Sequence, residues 1–438
     1  MVGSRTWLAI SIAIGSGVCA PSFATAQINQ NGRIVFTVCD FNEDGDLQCD
    51  IWSMNEDGSD QLNLTNTPNL NETQPTWSHD GTRIAYVEGT NFVNRLMVMN
   101  GDGSEQTVVT PQPSFQFAPT WSPDGSRLAF VRQVPGDIIT EQWDIMTVKL
   151  DGSDELNLTQ SDFDEVDPAW APDGSKIAFA AVRFEFTVDP ITEEPVEAAQ
   201  WEIVTVNPDG SGEEILTAGE PGSIRATRLE EDRAPSWSPD SERLVYMTQS
   251  VDPCCPPWQI EEILRNGADI ITLSDNPAVN DLAPAYSPDG TLIVFTSDRD
   301  AEHPGDFDIY TMPVPARTAV NEAPAVADVR RLTTSGRASD PNWGRDPDNA
   351  PPVKFTLTVK VKRGEGAGGR VISKPEGIRC GLDCAESYPV GTLVKLVAKP
   401  NLVSRFAGWG GACAGTSLTC VVTMQESQFV RAKFVLRP

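Results

Sequence analysis

The side chains best suited to hold a metal ion lie in one short stretch, residues 40–46. Oxygen-bearing residues recur there at every second position and a glycine occupies the sixth, which is how a short loop wraps calcium. The candidate ligands are Asp40, Asn42, Asp44 and Asp46. The twelfth position counted from Asp40 is Ile51 in place of the glutamate that completes an EF-hand, so the alternative is an acidic hairpin loop closed by a disulfide. Calcium is the one candidate cofactor of the sequence.

The cysteines form a second chemical pattern. Eight of the nine fall in close pairs, which are Cys39 and Cys49, Cys254 and Cys255, Cys380 and Cys384, and Cys413 and Cys420. An even number at short spacings is typical of a disulfide framework in an oxidising compartment, and we predict four disulfides. The last four cysteines allow three pairings, of which we favour the two local ones. A zinc site is not favoured, because the sequence lacks a C-x₂-C pair and has only two histidines.

The sequence shows no catalytic constellation. His79 stands where a repeated phrase elsewhere has proline, which predicts a surface turn residue, and His303 lies in a polar loop-like segment. Residues 364–369 match G-x-G-x-x-G, but a strand pattern follows where a dinucleotide site needs a helix, so a hairpin turn is predicted. Most carboxylates recur in turns, where they cap the backbone. We therefore predict no catalytic residue and no enzyme activity.

Residues 1–26 have the pattern of a signal peptide. Arg5 supplies the positive charge, a short apolar segment follows, and Ala24-Thr25-Ala26 forms an A-x-A cleavage site. The apolar segment is too short to span a bilayer, and no later stretch is long enough. We expect cleavage after Ala26 and a periplasmic or secreted protein with no transmembrane segment.

The charge divides the chain into two parts. Residues 353–438 contain 13 basic and 5 acidic residues, a net charge of +8, whereas the rest contains 20 and 57, a net charge of −37. This change of sign predicts two domains, residues 27–343 and residues 353–438, joined by a polar, proline-containing linker at residues 344–352. The total charge of −29 disfavours nucleic acid as a partner, because phosphate backbones are repelled.

A repeat dominates the first domain. The phrase Trp-Ser-Pro-Asp-Gly recurs with small changes, beginning at Trp77, Trp121, Trp170, Trp237 and Tyr286. Each copy is followed by two short apolar runs, by a turn such as Asp57-Gly58-Ser59, and by a closing Leu-Thr or similar pair. Pro-Asp-Gly and Asp-Gly-Ser favour tight turns, and the runs have the length of strands. The unit is therefore a four-stranded antiparallel sheet, which must stack with its copies around an axis.

The sixth unit is split between the two ends of the domain. Residues 34–65 hold the last three strands of a unit, and Asp340-Pro341-Asn342-Trp343 is a first strand with nothing after it. We predict that these segments pair and close the ring, which leaves no open edge. The unit that begins at Trp237 is irregular, with its third strand predicted at residues 258–264 and its fourth at residues 270–273. Inserted loops are predicted at residues 184–199, 218–232 and 313–328, where loops commonly carry recognition.

These residues resemble the TolB-like, or WD-repeat-like, propellers of bacterial periplasmic proteins. The segment Ser297-Asp298-Arg299-Asp300, followed by Asp308-Ile309-Tyr310, is especially similar to the sequence motif of their blades. The resemblance implies a six-bladed β-propeller used mainly to hold other proteins.

The second domain reads as a small all-β module containing disulfides. Residues 355–361 alternate as a half-buried strand does, and residues 393–397, 420–424 and 429–434 read likewise. The order of its cysteines, glycines and aromatic residues resembles the internalin-type bacterial B-repeat, which implies an adhesive or spacer role. The predicted fold class is all-β, a six-bladed propeller with a second small all-β domain.

The function expected from the sequence is that of an exported binding scaffold. The propeller would bind a protein partner or a component of the cell envelope, and the basic domain would act as a tether. The alternative is a propeller enzyme that acts on polysaccharide, as a lyase does, or on peptide.

Overall fold

The computed structural model describes most of the chain between residues 31 and 437. The described residues are 31–41, 45–67, 70–90, 93–112, 114–135, 141–188, 195–217, 230–250, 257–274, 276, 278–301, 303, 305–315, 328–347, 354–364, 366–375, 377–380, 384–389, 391–424 and 427–437. Their regular secondary structure is entirely β-strand. Within these ranges no helix has the length and apolar character needed to cross a bilayer.

The first fifteen strands cover the amino-terminal half of the propeller. They are β1 (Asn31–Phe41), β2 (Leu47–Met54), β3 (Leu62–Asn63), β4 (Asn71–Trp77), β5 (Arg83–Thr90), β6 (Val93–Asn100), β7 (Thr107–Val108), β8 (Gln116–Trp121), β9 (Arg127–Pro135), β10 (Glu141–Lys149), β11 (Leu156–Asn157), β12 (Glu165–Trp170), β13 (Ile177–Val188), β14 (Pro195–Val206) and β15 (Glu214–Ile215). The fourth strand of each unit is only two residues long and directly precedes the Leu-Thr or similar pair.

The remaining strands complete the propeller and form the second domain. They are β16 (Glu230–Trp237), β17 (Arg243–Ser250), β18 (Gln259–Leu264), β19 (Ile271–Thr272), β20 (Asp281–Tyr286), β21 (Leu292–Ser297), β22 (Asp308–Pro313), β23 (Arg330–Arg331), β24 (Ala338–Arg345), β25 (Lys354–Arg363), β26 (Gly369–Lys374), β27 (Arg379–Cys380), β28 (Cys384–Pro389), β29 (Leu393–Pro400), β30 (Ser404–Gly411), β31 (Thr419–Thr423) and β32 (Gln428–Leu436). The strands predicted at residues 258–264 and 270–273 correspond to β18 and β19, so that prediction is confirmed.

The propeller strands form six antiparallel blades. Blades 1 to 5 are continuous in sequence and comprise β4–β7, β8–β11, β12–β15, β16–β19 and β20–β23. Blade 6 has the order β24-β1-β2-β3. Its first strand pairs Trp343 with Ile34 and Asn342 with Val35, which confirms the predicted closure of the ring.

The Leu-Thr phrase has the same structural role in every blade. The hydroxyl of its second residue accepts a hydrogen bond of 2.8–3.2 Å from a backbone N–H of the third strand, fourteen or, in blade 5, twenty-four residues earlier. The accepting residues are Thr65, Thr110, Thr159, Thr217, Ser274 and Thr333. The bond satisfies a buried donor where the short fourth strand ends.

The hydrophobic core lies between neighbouring blades. Between blades 1 and 2, for example, Ala85 and Val98 pack with Leu128 and Phe130, and all four are buried. Since each sheet is apolar on both faces, it must be covered on both sides by other blades.

Part of one predicted loop is regular structure. Residues 184–188 and 195–199 belong to the paired strands β13 and β14, whose register runs without a break from Ile177↔Val206 to Val188↔Pro195. At these positions the prediction of an inserted loop was wrong, because the strand ladder continues, whereas residues 189–194 lie outside the described residues. Residues 218–229 and 316–327, in the other two predicted inserts, lie outside the described residues.

The second domain contains two four-stranded sheets. One has the order β28-β25-β32-β30 and the other β27-β26-β29-β31, and their buried side chains form one core around Leu357, Val394 and Phe434. Strands predicted near residues 355, 393, 420 and 429 are confirmed as β25, β29, β31 and β32. The glycine-rich turn at residues 364–369 leads into a strand, as predicted, but it joins two different sheets and is not a hairpin.

Candidate functional site in the central channel

The first strand of every blade carries the same irregularity. A residue with a φ of 47–55° precedes a proline, and the pairing with the second strand shifts register there. The six residues are Gln74, Ala118, Asp167, Ala234, Ala283 and Asp340. The bulge twists the strand, and the proline after it has no N–H to leave unpaired. These six residues line a central cavity of about 300 Å³.

Carboxylates occupy two positions of this ring. Asp167 belongs to blade 3 and Asp340 to blade 6, on opposite sides of the channel. Burial raises the pKa of both carboxyl groups. For Asp167 the positive charge of Arg233 opposes this rise, and the negative charge of Asp340 adds a smaller rise. Asp167 accepts a hydrogen bond of 3.3 Å from the backbone of Ala234, and Asp340 one of 3.1 Å from the Ser339 hydroxyl. This end of the channel is acidic.

The opposite end of the channel is lined by the third residue of the Trp-Ser-Pro phrase. Pro172, Pro239 and Pro288 occupy this position in three blades, whereas blades 1 and 6 have His79 and Arg345. About five residues of strand, roughly 15 Å, separate this end from the acidic ring. His79 does lie in a turn, as predicted, but its placement on the outer surface was wrong, because the turn faces the channel.

His79 and Arg345 lie in an unusual electrostatic environment. Burial, followed by the charge of Arg345, lowers the pKa of His79 to about 4, and its Nδ1 atom is buried without a hydrogen-bond partner. The pKa of Arg345 is lowered by burial alone. Throughout the part of the chain that the structure describes, its guanidinium has neither an ion pair nor a hydrogen bond. No described residue thus compensates this positive charge.

Other buried carboxylates belong to structural networks inside the blades. Burial raises the pKa of Glu72 to about 7 and that of Glu165 to about 7. Glu72 accepts a hydrogen bond from Thr67, and Glu165 accepts one from Ser161. Each of these bonds connects the segment between two blades to the first strand of the next blade.

The repeated turns hold their aspartates ionised. The Ser59 hydroxyl donates a hydrogen bond of 2.5 Å to Asp57 and lowers its pKa, and Asp102, Asp151 and Asp209 are arranged likewise. The interpretation of these carboxylates as turn residues agrees with the structure.

His303 is not placed for catalysis. It is exposed, and its Nδ1 atom lies 3.5 Å from Asp306 in the same loop. No described serine or cysteine is bonded to either histidine, so within the described residues no nucleophile and base are brought together.

The calcium loop is described only at its ends. Asp40 accepts a hydrogen bond from Arg337, and Asp46 begins the return of the chain toward β2. Asn42 and Asp44 lie outside the described residues, and no cluster of three metal-binding side chains occurs in the residues that are described. Calcium binding stays a prediction.

Two of the predicted disulfides are present. Cys39 is bonded to Cys49 across the β1–β2 ladder, and Cys413 to Cys420 in the second domain. Cys384 is also disulfide-bonded, while its predicted partner Cys380 is described by its backbone only. Cys254 and Cys255 lie outside the described residues.

The two faces of the propeller differ. The face at the acidic end carries the hairpins that join second and third strands, and it exposes Phe41 (64%), Leu47 (54%), Val93 (45%) and Phe115 (37%). Phe115 also meets Trp143 edge to face, with ring centroids 6.3 Å apart. The opposite face consists of the Pro-Asp-Gly and Asp-Gly-Ser turns. We call these the hairpin face and the turn face.

The channel residues were not predicted from the sequence, although one feature of the repeat indicates them. When the six copies of the repeat are aligned, the proline of the Trp-Ser-Pro phrase is replaced only in the copies that begin at Trp77 and Trp343. These two copies belong to blades 1 and 6, which are adjacent where the ring closes. A departure shared by two adjacent blades marks one place on the ring.

The comparisons with known proteins agree with this architecture. Residues 26–184 match the family described as TolB beta propeller domain. No curated protein matches the sequence. Among solved structures, TolB from Acinetobacter baumannii is 16% identical with a TM-score of 0.50, and the match covers 71% of this chain and 66% of that one. The chain thus spans about two thirds of the length of that TolB.

Two further solved structures are similar. Hydrazine synthase of Kuenenia stuttgartiensis is 12% identical with a TM-score of 0.52, over 92% of this chain and 68% of that one. A putative TolB from Agrobacterium tumefaciens is 18% identical with a TM-score of 0.44, over 82% and 99%. The family match and the Acinetobacter baumannii likeness show the fold alone, an all-β TolB-like propeller, which a further β domain follows.

Proposed function

We propose that this TolB-like propeller is an exported binding scaffold, which docks a protein partner or a component of the cell envelope on its hairpin face. The exposed apolar side chains of that face support the proposal. Grouped apolar residues on a soluble protein mark interaction sites, and aromatic residues are enriched in interfaces. The net charge of −29 adds electrostatic steering that disfavours nucleic acid.

The disulfides support the exported location. Cys39–Cys49 and Cys413–Cys420 would persist in an oxidising compartment and be reduced in a cytosol. The predicted signal peptide and cleavage after Ala26 belong to the same proposal. The second domain, with a net charge of +8 against −37 for the rest, would serve as a tether to an anionic surface, in line with its resemblance to B-repeats.

Binding explains the described polar groups better than turnover does. The buried acids Glu72 and Glu165 bond to neighbouring hydroxyls, and the turn aspartates cap their own loops. A catalytic acid or base needs a partner within reach of the reacting atom. Among the described residues, only the two channel acids Asp167 and Asp340 favour the enzyme alternative, and they lie on opposite sides of the channel.

The test is capture of a partner from a native envelope extract by the purified mature protein. Phe41→Ser with Phe115→Ser should abolish capture, because both side chains lie on the hairpin face. Leu62→Ser with Leu156→Ser is the matched control, since these leucines are similarly exposed (47% and 50%) but lie on the outermost strands. Equal loss in both variants would contradict docking on the hairpin face.

A second assay addresses the enzyme alternative. The mature protein should not turn over pectic oligosaccharides, peptidoglycan fragments or peptide esters. Turnover that survives repurification and disappears on a point substitution in the propeller would replace the scaffold proposal.

A further inference from the structure

Arg345 ends the inner strand of blade 6 at the turn-face end of the channel, where its guanidinium is half-buried. Neither a carboxylate nor a hydrogen-bond acceptor pairs with it among the described residues. Removing a charge from water without a partner is costly, and folded proteins normally pair such groups. A guanidinium kept in this state is free to accept an anion from outside the chain.

His79 lies beside Arg345 in the neighbouring blade. Blades 6 and 1 are held together by a 2.9 Å hydrogen bond from the backbone of Trp77 to Asn342. Gly81, with a φ of +70°, lies so close to the Arg345 carbonyl that a Cβ atom would overlap it. The charge of Arg345 lowers the pKa of the imidazole. Because Nδ1 is buried without a hydrogen-bond partner, Nε2 is the nitrogen that can contact a ligand.

The walls of this end are apolar. Pro172, Pro239 and Pro288 line it together with the ring of Trp77, which packs on Gly344. Four of the six blades have proline as the third residue of the Trp-Ser-Pro phrase, so most of the repeat positions at this end of the channel are uncharged. Arginine and histidine occur only in the two adjacent blades, which places both potential donors on one side of the channel.

The surrounding charge selects among anions. Asp80 and Asp124 lie close enough to act on His79, and the whole chain is strongly acidic. Each negative charge on a ligand is repelled by these groups, so a singly charged planar anion is favoured over a phosphate dianion. A carboxylate also matches the planar fork of a guanidinium.

We propose that Arg345 and His79 form a carboxylate-binding site at the turn-face end of the channel, with apolar walls that accept an organic group. The site takes either a small organic carboxylate or a carboxylate at the end of a peptide chain. It is distinct from the docking surface proposed above, since it lies on the opposite face of the propeller.

The experiment is calorimetric titration of the mature protein with sodium benzoate at constant ionic strength. We expect saturable binding that Arg345→Gln weakens about tenfold or more, the usual cost of losing a charge-assisted hydrogen bond. Arg330→Gln is the matched control. It also removes a positive charge near the turn face, but this side chain bonds the Asp57 carbonyl at 2.9 Å and does not line the channel.

A second variant and a second readout guard against misfolding. His79→Pro restores the residue that four other blades carry and should fold, and it should weaken benzoate binding about threefold. The melting temperature of ligand-free Arg345→Gln should equal or exceed that of the wild type, because an uncompensated charge is removed. A lower melting temperature would show that Arg345 is paired in the folded protein and would overturn the proposal.

Further titrations identify the source of the carboxylate. Binding of the peptide Gly-Gly-Phe with a free but not an amidated carboxy terminus would assign the site to chain ends, and binding of benzoate alone to small carboxylates. Sulfate that binds as tightly as benzoate would contradict the proposed ligand class. No binding of benzoate or either peptide to the wild type would overturn the site itself.

Discussion

Blades 2 and 6 have the same geometry but are assembled differently. Blade 2 is one continuous segment, β8–β11, whereas blade 6 joins β24 to β1, β2 and β3 across almost the whole propeller sequence. Both bond the third strand to a threonine of the fourth, through Thr159 at 3.2 Å and Thr65 at 3.0 Å. The repeat therefore produces equivalent blades whether or not the chain is continuous.

The differences between the two blades concern closure and the channel. Blade 6 carries the Cys39–Cys49 disulfide across its central ladder and places Asp340 and Arg345 where blade 2 has Ala118 and Pro123. A continuous blade is stabilised by its own short turns, but a split blade must also offset the entropy of joining distant segments. The closing blade thus combines an extra covalent link with charged residues that no repeat constraint explains.

The largest expected effect is that of removing the closing strand. A mature chain ending at residue 337 leaves β1 with an unpaired edge and uncovers the core around Ile34 and Phe36. Its melting temperature should fall by roughly 10 °C or more, since each kcal/mol shifts the transition by about 2 °C in a domain of this size. A chain ending at residue 353 lacks only the second domain and is the control. If both truncated chains melt alike, β24 does not close the ring.

The next effect is that of the disulfide in blade 6. Replacing Cys39 and Cys49 by serine should lower the free energy of unfolding of the propeller by about 2–3 kcal/mol, as expected for a loop of this length. Urea denaturation followed by tryptophan fluorescence measures it. Serine at Cys413 and Cys420 should leave the propeller transition unchanged, because that disulfide lies in the second domain. An unchanged propeller after loss of Cys39–Cys49 would show that closure does not need the link.

A smaller effect is expected from the buried glutamates of blades 1 and 3. Their pKa is raised from 4.5 to about 7, so the folded protein holds protons that the unfolded chain has already released. Stability contributed by these groups is complete below about pH 4.5 and is lost as the pH rises toward 7. The turn aspartates have the opposite sign, because their lowered pKa makes stability fall in stronger acid.

Stability should therefore be greatest in weak acid. Glu72→Gln with Glu165→Gln should flatten the decline between pH 4.5 and 7, a change on the order of 1 kcal/mol. Thermal melts over this pH range test the prediction, with the exposed Glu105→Gln as the control for net charge. If the double variant leaves the pH profile of stability unaltered, these glutamates are ionised in the folded protein at pH 5.

The smallest expected effect concerns calcium at residues 40–46 in the hairpin of blade 6. Affinity should be weak, about 10⁻⁴–10⁻³ M as in extracellular modules, and should be lost in Asp44→Ala. Because Arg337 donates a hydrogen bond to Asp40, Arg337→Gln should strengthen calcium binding. The corresponding sequence of blade 2, residues 136–140, has a single carboxylate, Asp137. Calorimetry without heat at millimolar calcium in either protein would remove calcium from consideration.

Local features of the sequence determined the strands, the number of blades and the closure. Pro-Asp-Gly and Asp-Gly-Ser phrases favour their turns wherever they occur, and the incomplete units at the two ends have only each other to pair with. The Cys39–Cys49 disulfide was predictable for the same reason, since a ten-residue hairpin brings its ends together. In one predicted loop the strand ladder continued, through residues 184–188 and 195–199.

The tertiary structure alone decided which residues meet in the channel. Asp167 and Asp340 face each other because a left-handed residue recurs in six inner strands, and the ring brings His79 beside Arg345 over 266 positions of sequence. Their charges matter because burial, which depends on all six blades, removes the water that would otherwise screen them. Turn chemistry acts over a few residues and is written locally, whereas burial and opposition across a ring exist only once the ring has closed.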